Sequence, residues 1–425
     1  SMLCRDRDTG RYRMHELVRQ LAQGRLQASG QTKPTIRDHA DYFLAIFEEA
    51  EEQVGDEQGQ VVFERLFKDE IDNCRAAMQR SLSASRAEVA LRLVLIFRRE
   101  GDLLWREEAY WLEQALQAGG EQLPAAARAE AQLQMARLNL QNHVGSRNRE
   151  RWGKVAADAL ALYKELGDER GTADALHTLG FAYFGKNFAM ASDYYRQAIA
   201  IYEGLGEEPF SSWLQLAWAH QFEGHINDAR QIFRQLMARA EECADEMRVV
   251  MFRSLLAELD FYEGRLGEAK RELLAILSFR SSEGRPISAF IRFLAQGTLL
   301  NVALAEGDLQ QAEALVYERL AYVKEWDAIG TVIFFFHQIA LWLHLLARER
   351  EAAFWIGCFD AERDGADQPI EKLERPRYEQ LKAELQDTLG AEQYQAAYEE
   401  GYNTPVDEAL ERGLAMVTYQ SIFTS

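Results

Sequence analysis

The stretch Glu-Gly-His-Ile-Asn-Asp-Ala at 223–229 returns as Glu-Gly-Arg-Leu-Gly-Glu-Ala at 263–269 and as Glu-Gly-Asp-Leu-Gln-Gln-Ala at 306–312. The glycine of each copy suits the left-handed backbone that often follows the end of a helix. The Ile or Leu can fill the joint between two helices, and the small alanine lets a second helix cross the first closely. Each copy therefore predicts the turn inside a pair of packed helices.

Two weaker copies extend this turn pattern, one closing at Ala191 and one at Ala352. The five closing alanines are then spaced 38, 40, 43 and 40 residues apart. The first helix of most pairs also carries a small residue, and these residues are Gly180, Ala217, Ala257 and Ala340. Leu300 is the exception. Such a period indicates a repeat architecture in which each helix pair packs only on its neighbours.

The turn pattern resembles the tetratricopeptide (TPR) consensus, although the spacing exceeds the usual period of about 34 residues. This resemblance implies an all-α fold, a right-handed superhelical solenoid of long TPR-like helix pairs with a C-terminal helical cap. We predict repeats over 121–360, preceded by helical spacer pairs over 31–120 and followed by capping helices over 361–425.

Composition restricts the classes of partner. Lys and Arg total 48 against 68 Asp and Glu, which gives a formal charge of −20. This charge repels phosphate backbones and argues against nucleic acid as a partner. The 4 cysteines are far apart, which favours a reducing, cytoplasmic setting. The apolar run at 331–347 contains two histidines, so we interpret it as a buried helix rather than a membrane span.

The N-terminal sequence Gly-Arg-Tyr-Arg-Met-His-Glu-Leu-Val-Arg-Gln at 10–20 resembles the last strand and last helix of the winged-helix domain in STAND ATPases. Its Met14-His15-Glu16 is similar to the Met-His-Asp motif of that family, with Glu in place of Asp. The Asp-Asn-Cys-Arg-Ala-Ala element at 72–77 and the tail at 389–410 are similar to the bacterial branch of the family. We therefore expect 1–30 to be a winged-helix remnant.

The STAND resemblance implies the function of a sensor. In that family an NTPase module is held inactive until a C-terminal region binds its signal, and the motif histidine, here His15, contacts ADP. This chain has no GxxxxGK[ST] motif, so that nucleotide-sensing role would operate only in a longer parent. Since Ser1-Met2 is typical of a cloning remnant, we expect the chain to be a fragment of a bacterial regulator.

No pattern in the sequence supports catalysis or a metal site. The chain has no GxSxG or HExxH motif. His337 and His344 are seven residues apart, roughly 10 Å along a helix, which is too far to share one metal. His220 and His225 lie on either side of a turn glycine. We predict no enzymatic activity, no cofactor and no metal.

The first helix of each TPR pair lines the inner groove, and this register gives the candidate ligand residues. They are His177, Phe181, Phe184, Trp218, Gln221, Phe222, Glu258, Phe261, Tyr262, Asn301, His337 and His344. Aromatic side chains mixed with single polar groups are typical of a ligand-binding surface. The alternative is that these aromatics only pack between helices.

Two functions follow from this interpretation. In the first, the groove binds a peptide, protein or small-molecule signal and controls the missing NTPase module. In the second, the helices are an architectural, autoinhibitory or self-associating scaffold with no ligand. An open groove would favour the first function, and a groove filled by the chain's own side chains or tail would favour the second.

Overall fold

The computed structural model describes residues 3–5, 12–14, 16–52, 57–97, 105–142, 149–326, 333–366 and 370–423. These residues are helical apart from short connections and a β-hairpin near the N-terminus. His15, the middle residue of the Met-His-Glu motif, lies outside these described ranges. No helix in these ranges combines the length and apolar character needed to cross a membrane.

The chain divides into two compact units, 1–135 and 136–425, which is a coarser division than the four predicted segments. In the first unit, β1 (Leu3–Arg5) pairs antiparallel with β2 (Tyr12–Met14). The helices that follow are α1 (Glu16–Ala28), α2 (Thr32–Glu52), α3 (Glu57–Ser83), α4 (Ala87–Phe97), α5 (Trp105–Gly119), a 3-10 turn (Gly120–Gln122) and α6 (Ala125–Asn142), which crosses the division. The rings of Phe47, Phe63 and Phe67 pack α2 on α3.

The second unit consists of helices that pack in chain order. They are α7 (Arg149–Leu166), α8 (Glu169–Tyr183), α9 (Phe188–Gly204), α10 (Phe210–Phe222), α11 (Ile226–Glu242), α12 (Glu246–Tyr262), α13 (Leu266–Ser278), α14 (Ala289–Glu306), α15 (Leu309–Trp326), α16 (Ile333–Leu345), α17 (Glu349–Ala366), α18 (Arg375–Leu389), α19 (Ala391–Tyr402) and α20 (Val406–Phe423). Each helix from α7 to α19 contacts the next along the chain, and α12, α14 and α16 also contact one another in succession. The predicted all-α arrangement of sequentially packed helices is confirmed.

The repeated turn has the geometry expected from its sequence. Gly224, Gly264 and Gly307 have φ of +78°, +78° and +71°, in the left-handed region that glycine tolerates best. In each case the next helix begins two residues later, and its closing alanine is fully buried. In the weakest copy, Ala347 occupies the glycine position with φ of +55°. The turn pattern therefore sets where α11, α13 and α15 begin.

The predicted C-terminal helices are present as α18, α19 and α20, and α19 packs on α17. Gly357 of α17 and Gly401 of α19 meet backbone to backbone, because a Cβ atom on either one would collide with main-chain atoms of the other helix. A segment at 370–374, which we call the strap, precedes α18 and lies over the inner ends of α10 and α12.

Candidate functional site

A cavity of about 480 Å³, which we call the central cavity, lies within the second unit. Its walls come from α6, α7, α8, α10, α12, α14, α15, α16 and α17, with the strap as a further wall. The apolar side chains at the wall are Leu140, Phe181, Phe184, Trp218, Phe222, Leu255, Phe290, Phe293, Leu294, Phe359 and Ile370. This volume is within the range typical of small-molecule sites.

The strap is fixed to three helices by polar contacts. The Lys372 amide donates to the carbonyl oxygen of Phe222 at 3.0 Å, and the Tyr262 hydroxyl donates to Glu371 Oε2 at 3.0 Å. Glu374 Oε2 lies 3.9 Å from Nδ1 of His337 on α16. The chain therefore covers part of its own groove and leaves a half-open space beneath the cover.

Three carboxyl groups, those of Glu258, Glu371 and Glu374, face the central cavity. Burial raises the pKa of Glu258 to about 7, against a smaller lowering from a Gln221 hydrogen bond. Burial also raises the pKa of Glu371 well above its ordinary value, and Glu258 and Glu374 raise it further by repulsion. The pKa of Glu374 is raised by burial as well. The Glu374 carboxyl group therefore makes ionisation of Glu258 and Glu371 harder.

Two buried guanidiniums also line the cavity. Arg149 on α7 donates to the carbonyl oxygens of Phe181 and Phe184 at 2.8 and 3.2 Å. The other is that of Arg319 on α15, which is 4% exposed. Its Nη1 donates to the Phe293 carbonyl oxygen at 2.5 Å, and its carbon centre lies 3.9 Å from the centroid of the Phe293 ring. Burial lowers the pKa of Arg319 to about 9, still above neutrality. Gly297 makes room for it, because a Cβ there would lie 2.7 Å from Nη1.

Several buried acceptor atoms at the cavity wall have no hydrogen-bond partner among the residues the structure describes. They include Oε1 of Gln221 and Oε1 of Gln338. Gln338 Nε2 donates to the Gly297 carbonyl oxygen at 2.9 Å, which fixes the orientation of this amide. Nε2 of His337 is also unpartnered, and burial lowers the pKa of His337 to about 3, so its ring is neutral. Unpaired buried polar atoms are rare in proteins and point to a missing partner.

The structure places nine of the twelve predicted groove residues at the central cavity. They are Phe181, Phe184, Trp218, Gln221, Phe222, Glu258, Tyr262, Asn301 and His337. These nine come from α8, α10, α12, α14 and α16, the first helices of successive pairs. The inward register therefore brings them together, and their role in binding stays a prediction.

The other three predicted residues do not line the central cavity. His177 lies one turn before Phe181, where its Nδ1 is 2.8 Å from Ser212 Oγ beside a separate depression. Phe261 lies outside the cavity wall, with its ring centroid 5.4 Å from that of Tyr262 and 5.5 Å from the guanidinium carbon of Arg377. His344 lies two turns beyond His337, and its ring nitrogens lie 2.7 and 3.0 Å from Glu349 and Glu384. The predicted register, extended by whole helical turns, therefore includes residues that lie beyond the ends of the cavity.

Sequence reasoning missed eight polar residues of the cavity, which are Arg149, Gln215, Ser254, Thr298, Arg319, Gln338, Glu371 and Glu374. Arg319 is on α15, the second helix of its pair, and the only signal was an arginine on the buried face shared by Ala312, Val316 and Leu320. Gln338 follows His337 directly. The two glutamates belong to the strap, which has no periodic pattern.

An outer depression of about 730 Å³ between α11, α12 and α13 is larger but is a weaker candidate. Many of its charged side chains pair with one another: Arg230 bonds to Asp260 at 2.8 Å and to Glu263 at 2.5 Å, and Arg253 bonds to Glu272 at 2.5 Å. Among the described residues, none of the buried polar atoms that lack a partner belongs to its wall, in contrast to the central cavity.

His220, Glu223 and His225 come together at the α10–α11 turn, with their possible ligand atoms within 4.8 Å of one another. Ligands that bind one zinc ion lie about 2.0–2.1 Å from it, so atoms 4.8 Å apart are too widely separated without rearrangement. His225 is also mostly exposed. The prediction that the chain holds no metal stays a prediction.

Comparison with known proteins adds no functional assignment. No protein-family model matches the chain, and no curated protein is significantly similar to it. The functional argument therefore depends on the central cavity.

Proposed function

We propose that the chain is a non-catalytic sensor module whose central cavity binds a small molecule. The observation that carries this proposal is a half-open, aromatic-walled cavity whose buried Gln221 and Gln338 oxygens lack partners among the described residues. A bound molecule would pair these atoms and bury apolar surface, which are the two contributions that dominate small-ligand sites.

The cover formed by the strap favours a small molecule over a peptide or protein. A protein or extended peptide needs a long open groove, whereas the strap crosses the groove and hydrogen-bonds to α10 and α12. A molecule that fits within about 480 Å³ can occupy the space with the strap in place.

The wider role follows from the resemblance described above. The turn pattern supports a right-handed TPR-type solenoid, and the N-terminal motif supports a place in a bacterial, cytoplasmic STAND-type regulator. In that setting, ligand binding in the second unit would control an NTPase module in the same polypeptide, and His15 would contact ADP there.

A scaffold without its own ligand is the second candidate function. The observation in its favour is the strap, since a segment that closes the groove from within could hold the helices in one arrangement. The unpaired acceptors beneath the strap favour the sensor, because a scaffold gains nothing by burying them.

A thermal-shift screen with amines, carboxylates and neutral aromatic compounds tests the sensor function. A ligand at a hundred times its Kd stabilises the folded state by about 2.7 kcal/mol. We expect Trp218→Ala to weaken the binding of any such compound by at least about tenfold, since aromatic anchors dominate recognition. Trp213→Ala is the matched control, because this tryptophan is on the same helix but outside the cavity wall.

Equal affinity of the wild-type protein and Trp218→Ala would place the binding elsewhere. Absence of any stabilising compound would favour the scaffold.

A further inference from the structure

We infer that the ligand of the central cavity is an organic cation, a protonated amine carried by an apolar or aromatic body. The inference rests on the proposed function and assigns the chemistry of the molecule bound there. It depends on the charges, the unpaired acceptors and the aromatic wall of the cavity.

The charges at the wall favour a cation. The three carboxyl groups of Glu258, Glu371 and Glu374 outnumber the two buried guanidiniums at the wall. Arg149 Nη1 donates to the carbonyl oxygens of Phe181 and Phe184. Arg319 already donates to the Phe293 carbonyl and lies against the Phe293 and Phe335 rings. An anion would therefore approach three carboxyl groups, whereas an ammonium group would stabilise their ionised forms.

Among the described residues, the unpaired atoms at the wall are mostly able to accept: they are the amide oxygens of Gln221 and Gln338 and Nε2 of His337, with Arg319 Nε as a donor. The Gln221 side chain lowers the pKa of both Glu258 and Glu371 by hydrogen bonding, whereas its Oε1 has no partner among the described residues. The Gln338 amide nitrogen donates to the Gly297 carbonyl oxygen, and the Gln338 Oε1 has no partner in the described ranges either. An ammonium group has three N–H donors and no acceptor, which matches two amide oxygens and a carboxylate. A quaternary ammonium lacks these donors and would bind less tightly than a primary amine.

The aromatic wall suits the rest of such a molecule. Trp218 and Phe222 belong to α10, Phe181 belongs to α8, and Phe184 directly follows α8; all four line the cavity. Phe184 and Phe222 have ring centroids 5.3 Å apart and form a continuous surface. Aromatic faces attract both apolar groups and cations, so this surface can hold the body of the ligand.

Three compounds with one body and different charges test the inference. They are 4-phenylbutylamine, the neutral 4-phenylbutan-1-ol and the anionic 4-phenylbutyrate, titrated by calorimetry at pH 8. We expect the amine to bind at least about tenfold more tightly than the alcohol, a difference of about 1.4 kcal/mol. We expect the carboxylate to bind least tightly.

Glu258→Gln separates a local charge effect from the overall negative field. We expect this variant to weaken amine binding by at least fivefold and to leave alcohol binding within twofold. Glu258→Gln combined with Glu371→Gln should remove the remaining preference. The matched control is Glu241→Gln, which removes the same charge from an exposed position on α11 and should leave all three affinities unchanged.

Different failures have different meanings. If the alcohol or the carboxylate binds as tightly as the amine, and Trp218→Ala abolishes that binding, the cation inference is wrong and the proposed function stands. An amine preference that survives both glutamine variants also overturns the inference. If none of the three compounds binds and the broader screen finds no ligand, both are wrong.

Discussion

Glu258 holds its carboxyl group inside the central cavity, where it titrates far from its ordinary range. Its pKa is about 7, against a reference value of 4.5. The groups that face it are Gln221 from α10, Tyr262 from α12, Arg319 from α15, His337 from α16, and Glu371 and Glu374 from the strap. Because the folded state holds this proton more tightly than the unfolded state, protonation stabilises the fold.

The stabilising effect of this proton is fully present below pH 4.5 and is lost as the pH rises through 7. A glutamine at this position cannot ionise. We therefore expect the melting temperature of Glu258→Gln, relative to wild type, to increase between pH 5 and pH 8 by at least about 2 °C, a shift that about 1 kcal/mol produces. Thermal unfolding followed by circular dichroism measures this difference. A difference that is constant with pH would show that Glu258 is not buried as described.

The same titration affects ligand binding. If an ammonium group binds the ionised carboxylate, binding below pH 7 must release a proton. Affinity for 4-phenylbutylamine should then fall by up to about tenfold for each pH unit below the pKa. The affinity of the uncharged alcohol should not follow this dependence.

At the scale of helices, the turn glycines show the effect of backbone conformation without a contribution from side-chain packing. Gly264 has φ of +78°, and a Cβ there would meet nothing within 4 Å. Ala347 adopts φ of +55° in the equivalent turn before α17. A non-glycine residue in the left-handed region costs roughly 1–2 kcal/mol. Gly264 and Ala347 therefore both adopt a left-handed backbone conformation, one as glycine and the other as alanine.

Two reciprocal substitutions measure the free-energy cost of placing a non-glycine residue in this left-handed conformation. We expect Ala347→Gly to increase the free energy of unfolding by about 1 kcal/mol, and Gly264→Ala to decrease it by about the same amount. Urea denaturation of the two variants gives both values. Effects of the same sign in the two variants would contradict the shared turn geometry.

Local features of the helix pairs could be predicted from sequence because they depend on residues within one turn of each other. The glycine of each turn, the buried alanine five residues later and the inward position of Trp218 and Glu258 are of this kind. Arg319 and the strap could not be predicted, since their placement depends on residues far away in the chain. Glu371 is next to Tyr262, 109 residues before it in sequence, through a contact with no periodic signal.

The close crossing of α17 and α19 was also not predicted. Gly357 and Gly401 are interior helix residues in a sequence context that usually disfavours glycine. Their role becomes clear only when the two backbones are seen in contact. A repeat pattern based on turn residues does not report such contacts between non-successive helices.

At the scale of the whole molecule, the described helices form two compact units, and the central cavity belongs to the second. The formal charge of −20 raises the concentration of cations near the surface and repels anions. This field acts on every cation alike and is screened by salt, whereas the cavity carboxyl groups are shielded from solvent. Selective binding of one amine must therefore come from the cavity.

A crystal structure of the full chain with 4-phenylbutylamine tests this account most directly, because it locates the bound molecule. The account expects the ammonium nitrogen within hydrogen-bond distance of the Glu258 carboxylate and of an amide oxygen of Gln221 or Gln338. The phenyl ring should lie against Trp218 and Phe222. A molecule bound only on the outer surface, with the central cavity holding nothing but water, would contradict the account.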